Sequence, residues 1–115
     1  MKKYFILGAL ALLVASCGSS SKSLYSWYDY EDATYQYSKK QTDELKVKMM
    51  DQYLKLINNQ NGTRKVVPPG LYAEYGYALC MSGKKEEGLG YLKKEIKLYP
   101  ESETYISRII KQLEK

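Results

Sequence analysis

Residues 69–100 read PGLYAEYGYALCMSGKKEEGLGYLKKEIKLYP, and the order of breakers and apolar residues in that run describes two helices folded back on each other. Pro69 suits a first helical turn, where its missing N–H is not needed. Leu71, Tyr72, Tyr75, Leu79 and Cys80 then recur at three- and four-residue steps, the spacing of one helical face. Gly83 can take the left-handed conformation that closes a helix, and Glu86 and Glu87 fall in the opening turn of the next, against the positive end of its dipole. Leu89, Leu92, Ile96 and Leu98 are the expected inner face of that second helix, which Pro100 ends. Gly76, without a side chain, lets the two helices approach.

One hairpin cannot bury both its faces, so the flanks must supply neighbours. Upstream, Thr42 is an N-cap candidate with Asp43 and Glu44 behind it. Leu45, Met49, Tyr53, Leu56 and Ile57 form a stripe, while Lys46, Lys48, Asp51, Gln52 and Lys55 take the solvated side. The run 58–62, Asn-Asn-Gln-Asn-Gly, ends this helix, and 63–67 is a loop stopped by Pro68 and Pro69. A shorter helix is expected over 31–39, with Ala33 and Tyr37 on one face. Downstream, Ser102 is a cap candidate, and Ile106, Ile109, Ile110 and Leu113 give a last helix over 103–114. The fold class is all-α: a compact hairpin with flanking helices, four to five in total, in a single domain over 24–115.

Tyr72, Tyr75-Gly76, Leu79, Gly88, Leu92 and Pro100 fall without a gap on the marked positions of a tetratricopeptide repeat, which the hairpin resembles. Gly88 stands where such repeats prefer Ala, Gly90 weakens the helix further, and Glu95 replaces another usual small residue. The resemblance implies a scaffold that binds other molecules before it implies any chemistry.

The N-terminal residues address a place. Lys2 and Lys3 precede an apolar run over 4–14 that is too short to span a bilayer, and Leu13-Val14-Ala15-Ser16-Cys17 resembles a bacterial lipobox. The expectation is a lipoprotein signal peptide over 1–16 and a mature N-terminus at an acylated Cys17. The two or three acyl chains of such a cysteine hold a protein on a bilayer, at about 0.8 kcal/mol per buried methylene. Gly18-Ser19-Ser20-Ser21 continues as a Ser-rich tether through residue 23. With no acidic residue beside Cys17, the pattern resembles that of lipoproteins sent to the outer membrane, and the absence of an acidic cluster over 18–23 disfavours export to the cell surface.

The chain carries 18 Lys and Arg against 13 Asp and Glu, a formal charge of +5, which loss of Lys2 and Lys3 with the leader lowers to +3. The cations are dispersed among acids with no basic run, so nucleic acid is not an expected partner. Cys80 would be left alone after acylation of Cys17, and its place on an apolar face points to burial as a small hydrophobe. The chain has no histidine, which removes the commonest general base, the ordinary catalytic triads and most zinc sites. Neither a cofactor nor a metal is expected, and an enzyme is disfavoured.

Residues 24–39 crowd Tyr25, Trp27, Tyr28, Tyr30, Tyr35 and Tyr37 together. Such rings serve as a lid on a core or as hot spots for a partner; the lid, with Tyr25, Trp27 and Tyr30 lying across the helices, is the favoured reading and the hot spot its rival. The lipobox, the Tyr25-x-Trp27-x-x-Tyr30 pattern, the run 67–77 and Pro100-Glu101-Ser102 resemble a family of small bacterial lipoproteins of unknown function. Its typical Gly after the Trp is Tyr28 here. The resemblance implies an accessory or assembly role at the outer membrane beside CsgG-like curli-secretion-type lipoproteins, next to which such proteins are often encoded, and it assigns no catalytic residue. The leading expectation is a lipid-anchored, non-enzymatic adaptor that docks its partner through Tyr25, Trp27, Tyr30, Tyr72 and Tyr75. The alternative is a module that holds a small peptide or glycan in a pocket.

Overall fold

A computed structural model of the chain describes residues 23–115; the expected signal peptide, the lipobox, Cys17 and the tether up to residue 22 lie outside the described residues. Five helices follow in order: α1 Tyr30–Lys39, α2 Asp43–Asn58, α3 Leu71–Met81, α4 Lys85–Leu98 and α5 Glu103–Glu114, with a single 3-10 turn, Pro100–Ser102, before the last. No strand occurs among the described residues, and no helix among them is long and apolar enough to cross a membrane.

Local chemistry sets the boundaries. The Thr42 hydroxyl accepts a hydrogen bond from the Leu45 N–H at 3.2 Å, capping α2 as its sequence requires. Gly70 and Gly83, at φ 91° and 87°, occupy the left-handed region on either side of α3. Two capping expectations are corrected. Pro69 stands outside α3, because Gly70 takes the N-cap position and the first turn begins at Leu71. Ser102 does not cap α5 through its side chain; it closes the 3-10 turn, where its hydroxyl donates to the Tyr99 carbonyl at 2.7 Å.

The short links 40–42 and 82–84 fold α1 against α2 and α3 against α4 as two antiparallel hairpins, and α5 packs on α4. Met49, Tyr53 and Leu56 of α2 meet Leu71, Tyr75 and Leu79 of α3 in the main core, which Ala33 of α1 and Val67 of the connecting segment complete. Val67 and Pro68 cross this core buried, and the Tyr99 hydroxyl donates to the Val67 carbonyl at 2.5 Å, tying the crossing to the end of α4.

The hairpin closes on a pair of glycines. A Cβ on Gly76 would lie 2.6 Å from the Gly88 carbonyl oxygen, and one on Gly88 would lie 2.5 Å from Cys80 Sγ and 2.9 Å from its backbone nitrogen. The two backbones therefore touch. This contact turns α4 slightly from its expected orientation: the buried stripe is Gly88, Leu92 and Glu95, while Leu89 and Ile96 are half-buried and Leu98 is exposed. Once two glycines define the crossing, the residues four and seven positions after Gly88 follow it inward.

Candidate functional site

Residues 23–29 form an arm that is strapped to the loop after α2. Thr63 and Arg64 donate backbone N–H groups to the Ser23 and Leu24 carbonyls at 3.1 and 3.2 Å. The Gln60 side chain completes the strap, accepting from the Ser26 N–H at 2.5 Å and donating to the Ser26 carbonyl at 3.2 Å. Gly62 packs flat against the Leu24 carbonyl, leaving no room for a side chain. Tyr28 has φ 47°, a region that suits glycine. The Tyr28 hydroxyl donates to the Asn59 carbonyl at 2.5 Å, which helps to hold that turn.

From this arm a ladder of rings runs into the hairpin. Centroids step from Tyr25 to Trp27 at 6.0 Å, to Tyr30 at 5.4 Å, to Tyr53 at 5.9 Å, to Tyr75 at 5.9 Å and to Tyr91 at 4.8 Å, against which Tyr72 stacks at 6.0 Å. Such offset and tilted contacts contribute about 0.5–1.5 kcal/mol each beyond area burial. All five tyrosine and tryptophan residues singled out in the sequence belong to this ladder, joined by Tyr53 and Tyr91. They do not make a common surface: Tyr75 is 5% exposed and lies in the core, Tyr30 and Tyr72 are half-buried against it, and Trp27 is exposed, one ring in from Tyr25 at the outer end. The arrangement latches the arm onto both hairpins.

Burial raises the pKa of these phenols and so holds their protons on. Tyr30 and Tyr53 are pushed well above the ordinary value of 10, first by desolvation and then by the Glu74 carboxylate, which accepts the Tyr30 O–H at 2.5 Å. Tyr72 and Tyr75 shift up for the same first reason, with Tyr91 adding to it, and Tyr99 rises to about 12 through burial and the neighbouring Tyr25 hydroxyl. A phenol whose folded-state pKa exceeds its unfolded value keeps its proton longer in the fold. Its contribution to stability is therefore complete below about pH 10 and is lost as pH climbs through the folded value. We expect the helical circular dichroism to hold to about pH 10 and to collapse between there and roughly pH 12, together with the rise of tyrosinate absorbance. A fold that stays intact while every tyrosine ionises would contradict this account.

The Cys80 thiol is half-buried, pushed up mainly by desolvation with Lys85 opposing, and sits against the Lys85 carbonyl at 3.6 Å. It is a packing residue, not an activated nucleophile. Among the described residues no group of three or more Cys, Asp or Glu side chains is placed to hold a metal ion.

Away from the ladder, a groove of about 670 Å³ opens between the start of α3, the end of α4 and α5. The α5 stripe contributes Ile106, Ile109 and Leu113, with Tyr105 and Tyr77 beside them, and the 3-10 turn places Glu101 and Ser102 at one end. Glu74 and Glu95 also line it. Glu95 is 1% exposed, and its Oε1 accepts the Ala73 N–H at 3.1 Å. Tyr105 is 70% exposed. Sequence reading marked Glu95 only as out of place in a repeat and passed over Tyr105. An acid at the third position after Leu92, on a stripe begun by Gly88, was the available sign. A second, more polar groove of about 510 Å³ lies between α1 and α2, lined by Asp29, Asp32, Gln36, Lys48, Asp51 and Lys55 among others. Its charges are mixed.

Neither the curated proteins nor the solved structures include a match to this chain. A family model described as Domain of unknown function (DUF4810) matches residues 24–109, from the arm through the hairpin and into α5. That span takes in the latch, the glycine crossing and most of the groove, and the chain belongs to the DUF4810 family.

Proposed function

We propose that the protein is a lipid-anchored, non-enzymatic helical adaptor of the bacterial envelope. It is held on the outer membrane, facing the periplasm, by acylated Cys17, and it docks a protein partner in the groove between α3, α4 and α5. A CsgG-like secretion lipoprotein is the first candidate partner. The groove carries this reading, because it joins exposed aromatic and aliphatic side chains to convergent carboxylates in one concavity, the form expected of a binding site. The aromatic arm takes a different part from the one expected of it. Tyr75 lies in the core with Tyr30 and Tyr72 packed against it, while Trp27 stays exposed, so the groove carries more of the docking surface in this reading than the five rings do.

The second reading, a module for a small peptide or glycan, rests on the same concavity. An enzyme is the third, since Glu74, Glu95 and Glu101 line one cleft. Two of those carboxylates already accept hydrogen bonds from the fold, Glu74 from Tyr30 and Glu95 from Ala73, which favours a binding role.

A photo-crosslinking amino acid at position 105 of the full chain, in its native cell, tests the adaptor reading against a control at the exposed Tyr35 of α1. A discrete protein adduct from position 105 alone is expected. No adduct, or the same adducts from both positions, removes the groove as a protein-docking site. Separately, Cys17→Ala should move the protein out of the membrane fraction, and its retention there would sink the anchor.

A further inference from the structure

Glu95 is the one buried charged side chain among the described residues. One oxygen is satisfied by Ala73, and no protein donor among the described residues is directed at the other. No fully buried side-chain polar atom is left without a partner among the described residues, so that second oxygen is reached from the groove that Glu95 lines. A carboxylate held in apolar surroundings is costly unless something opposite in charge completes it. The groove does not supply the counter-charge itself. It is lined by Glu74, Glu95 and Glu101 and by no Lys or Arg, although the chain carries 18 such cations.

We propose that the groove is a cation-reading subsite: it takes a chain segment that presents one lysine or arginine between apolar side chains, with the cationic group on Glu95 and the flanking residues on Tyr77, Tyr105, Ile109 and Leu113. The inference rests on the groove being the docking site, and it names the chemistry of what docks. A guanidinium or ammonium on a buried carboxylate makes a charge-assisted hydrogen bond, and the acidic rim at Glu74 and Glu101 attracts the same charge as it approaches. An acidic segment is rejected by the same three groups.

The Ala73 amide, hydrogen-bonded to Glu95, is a resident reporter of this site. The test uses the full lipidated chain, labelled with nitrogen-15 in lipid nanodiscs, and titrates acetyl-Leu-Arg-Leu-amide against its citrulline counterpart, which keeps the shape and loses the charge. The arginine peptide is expected to shift the Ala73 amide and to bind at least about ten-fold more tightly than the citrulline peptide. Glu95→Gln, which keeps an acceptor for Ala73, should erase that difference. Equal binding of the two peptides by the native chain overturns the cation subsite while leaving the groove as an apolar docking site. If neither peptide moves the Ala73 amide, the subsite is likewise overturned, and the crosslink at position 105 reports independently on docking. The arginine-against-citrulline comparison needs no variant, so it stands even if Glu95→Gln folds poorly.

Discussion

Replacing Gly88 by alanine is expected to destabilise the protein by about 3 kcal/mol, at the upper end of what overpacking costs in a close-packed interior. The new Cβ meets the Gly76 carbonyl and comes within 2.9 Å of the Cys80 nitrogen, atoms that belong to the facing backbone and cannot rotate aside. Ordinary carbon contacts with backbone oxygen begin at about 3.3 Å, so α3 and α4 must separate. That separation loosens the packing of Leu92, which has no exposed surface. Alanine's better helix propensity returns at most about 1 kcal/mol. Gly90 is the control. Nothing lies within 4 Å of a Cβ there and the residue is exposed, so Gly90→Ala should stabilise by about 0.5–1 kcal/mol. Urea unfolding monitored by circular dichroism measures both, and a Gly88→Ala midpoint at or above that of the native chain would show that the glycine pair is not the closure of the hairpin.

Leu56→Ala should cost a comparable amount, about 2–5 kcal/mol. Leu56 has no exposed surface and lies where α2 meets α3, in the cluster that also holds Tyr53, Tyr75 and Val67. Rings and a proline-bound crossing segment surround it, and these collapse poorly into the space a leucine leaves. For a domain of this size each kcal/mol lowers the melting temperature by about 4–8 °C, so the loss should exceed roughly 8 °C. Val47→Ala, at a 60% exposed position of the same helix, should stay within about 0.5 kcal/mol. Equal melting temperatures for the two variants would place the core elsewhere.

Much of this architecture is legible in residue order because it is set by neighbours in the chain. Thr42 announces α2, Gly83 the hairpin turn and the 49/53/56 spacing the buried face, and each depends on contacts within one or two turns. Less was legible where distant segments decide. The inward face of α4 follows from Gly76 meeting Gly88 across the hairpin, and spacing alone favoured Leu89 and Leu98, which carry more apolar surface than the Gly88 and Glu95 that are buried. The strap from Gln60 to Ser26 joins residues 34 positions apart through two hydrogen bonds, and no local pattern marks it. Tyr28 was a partial exception. The resemblance implied a glycine after the Trp and so a left-handed turn, and the backbone there has that conformation with a tyrosine in place. The groove could not be seen at all, since it exists only once α5 lies beside α3 and α4.

The ring ladder has an optical consequence. The chain has 13 tyrosines and a single tryptophan, and that tryptophan stands near the outer end of the ladder, between Tyr25 and Tyr30. Excitation absorbed by closely spaced phenols passes to an indole and is emitted there, so the folded protein should glow as a tryptophan even when its tyrosines are excited. Lifting the arm carries the indole away from Tyr30 and the rings behind it, so the share of the emission that comes from tyrosine rises. The latch thus reports on itself without a label, and the release of residues 23–29 can be followed in the intact protein.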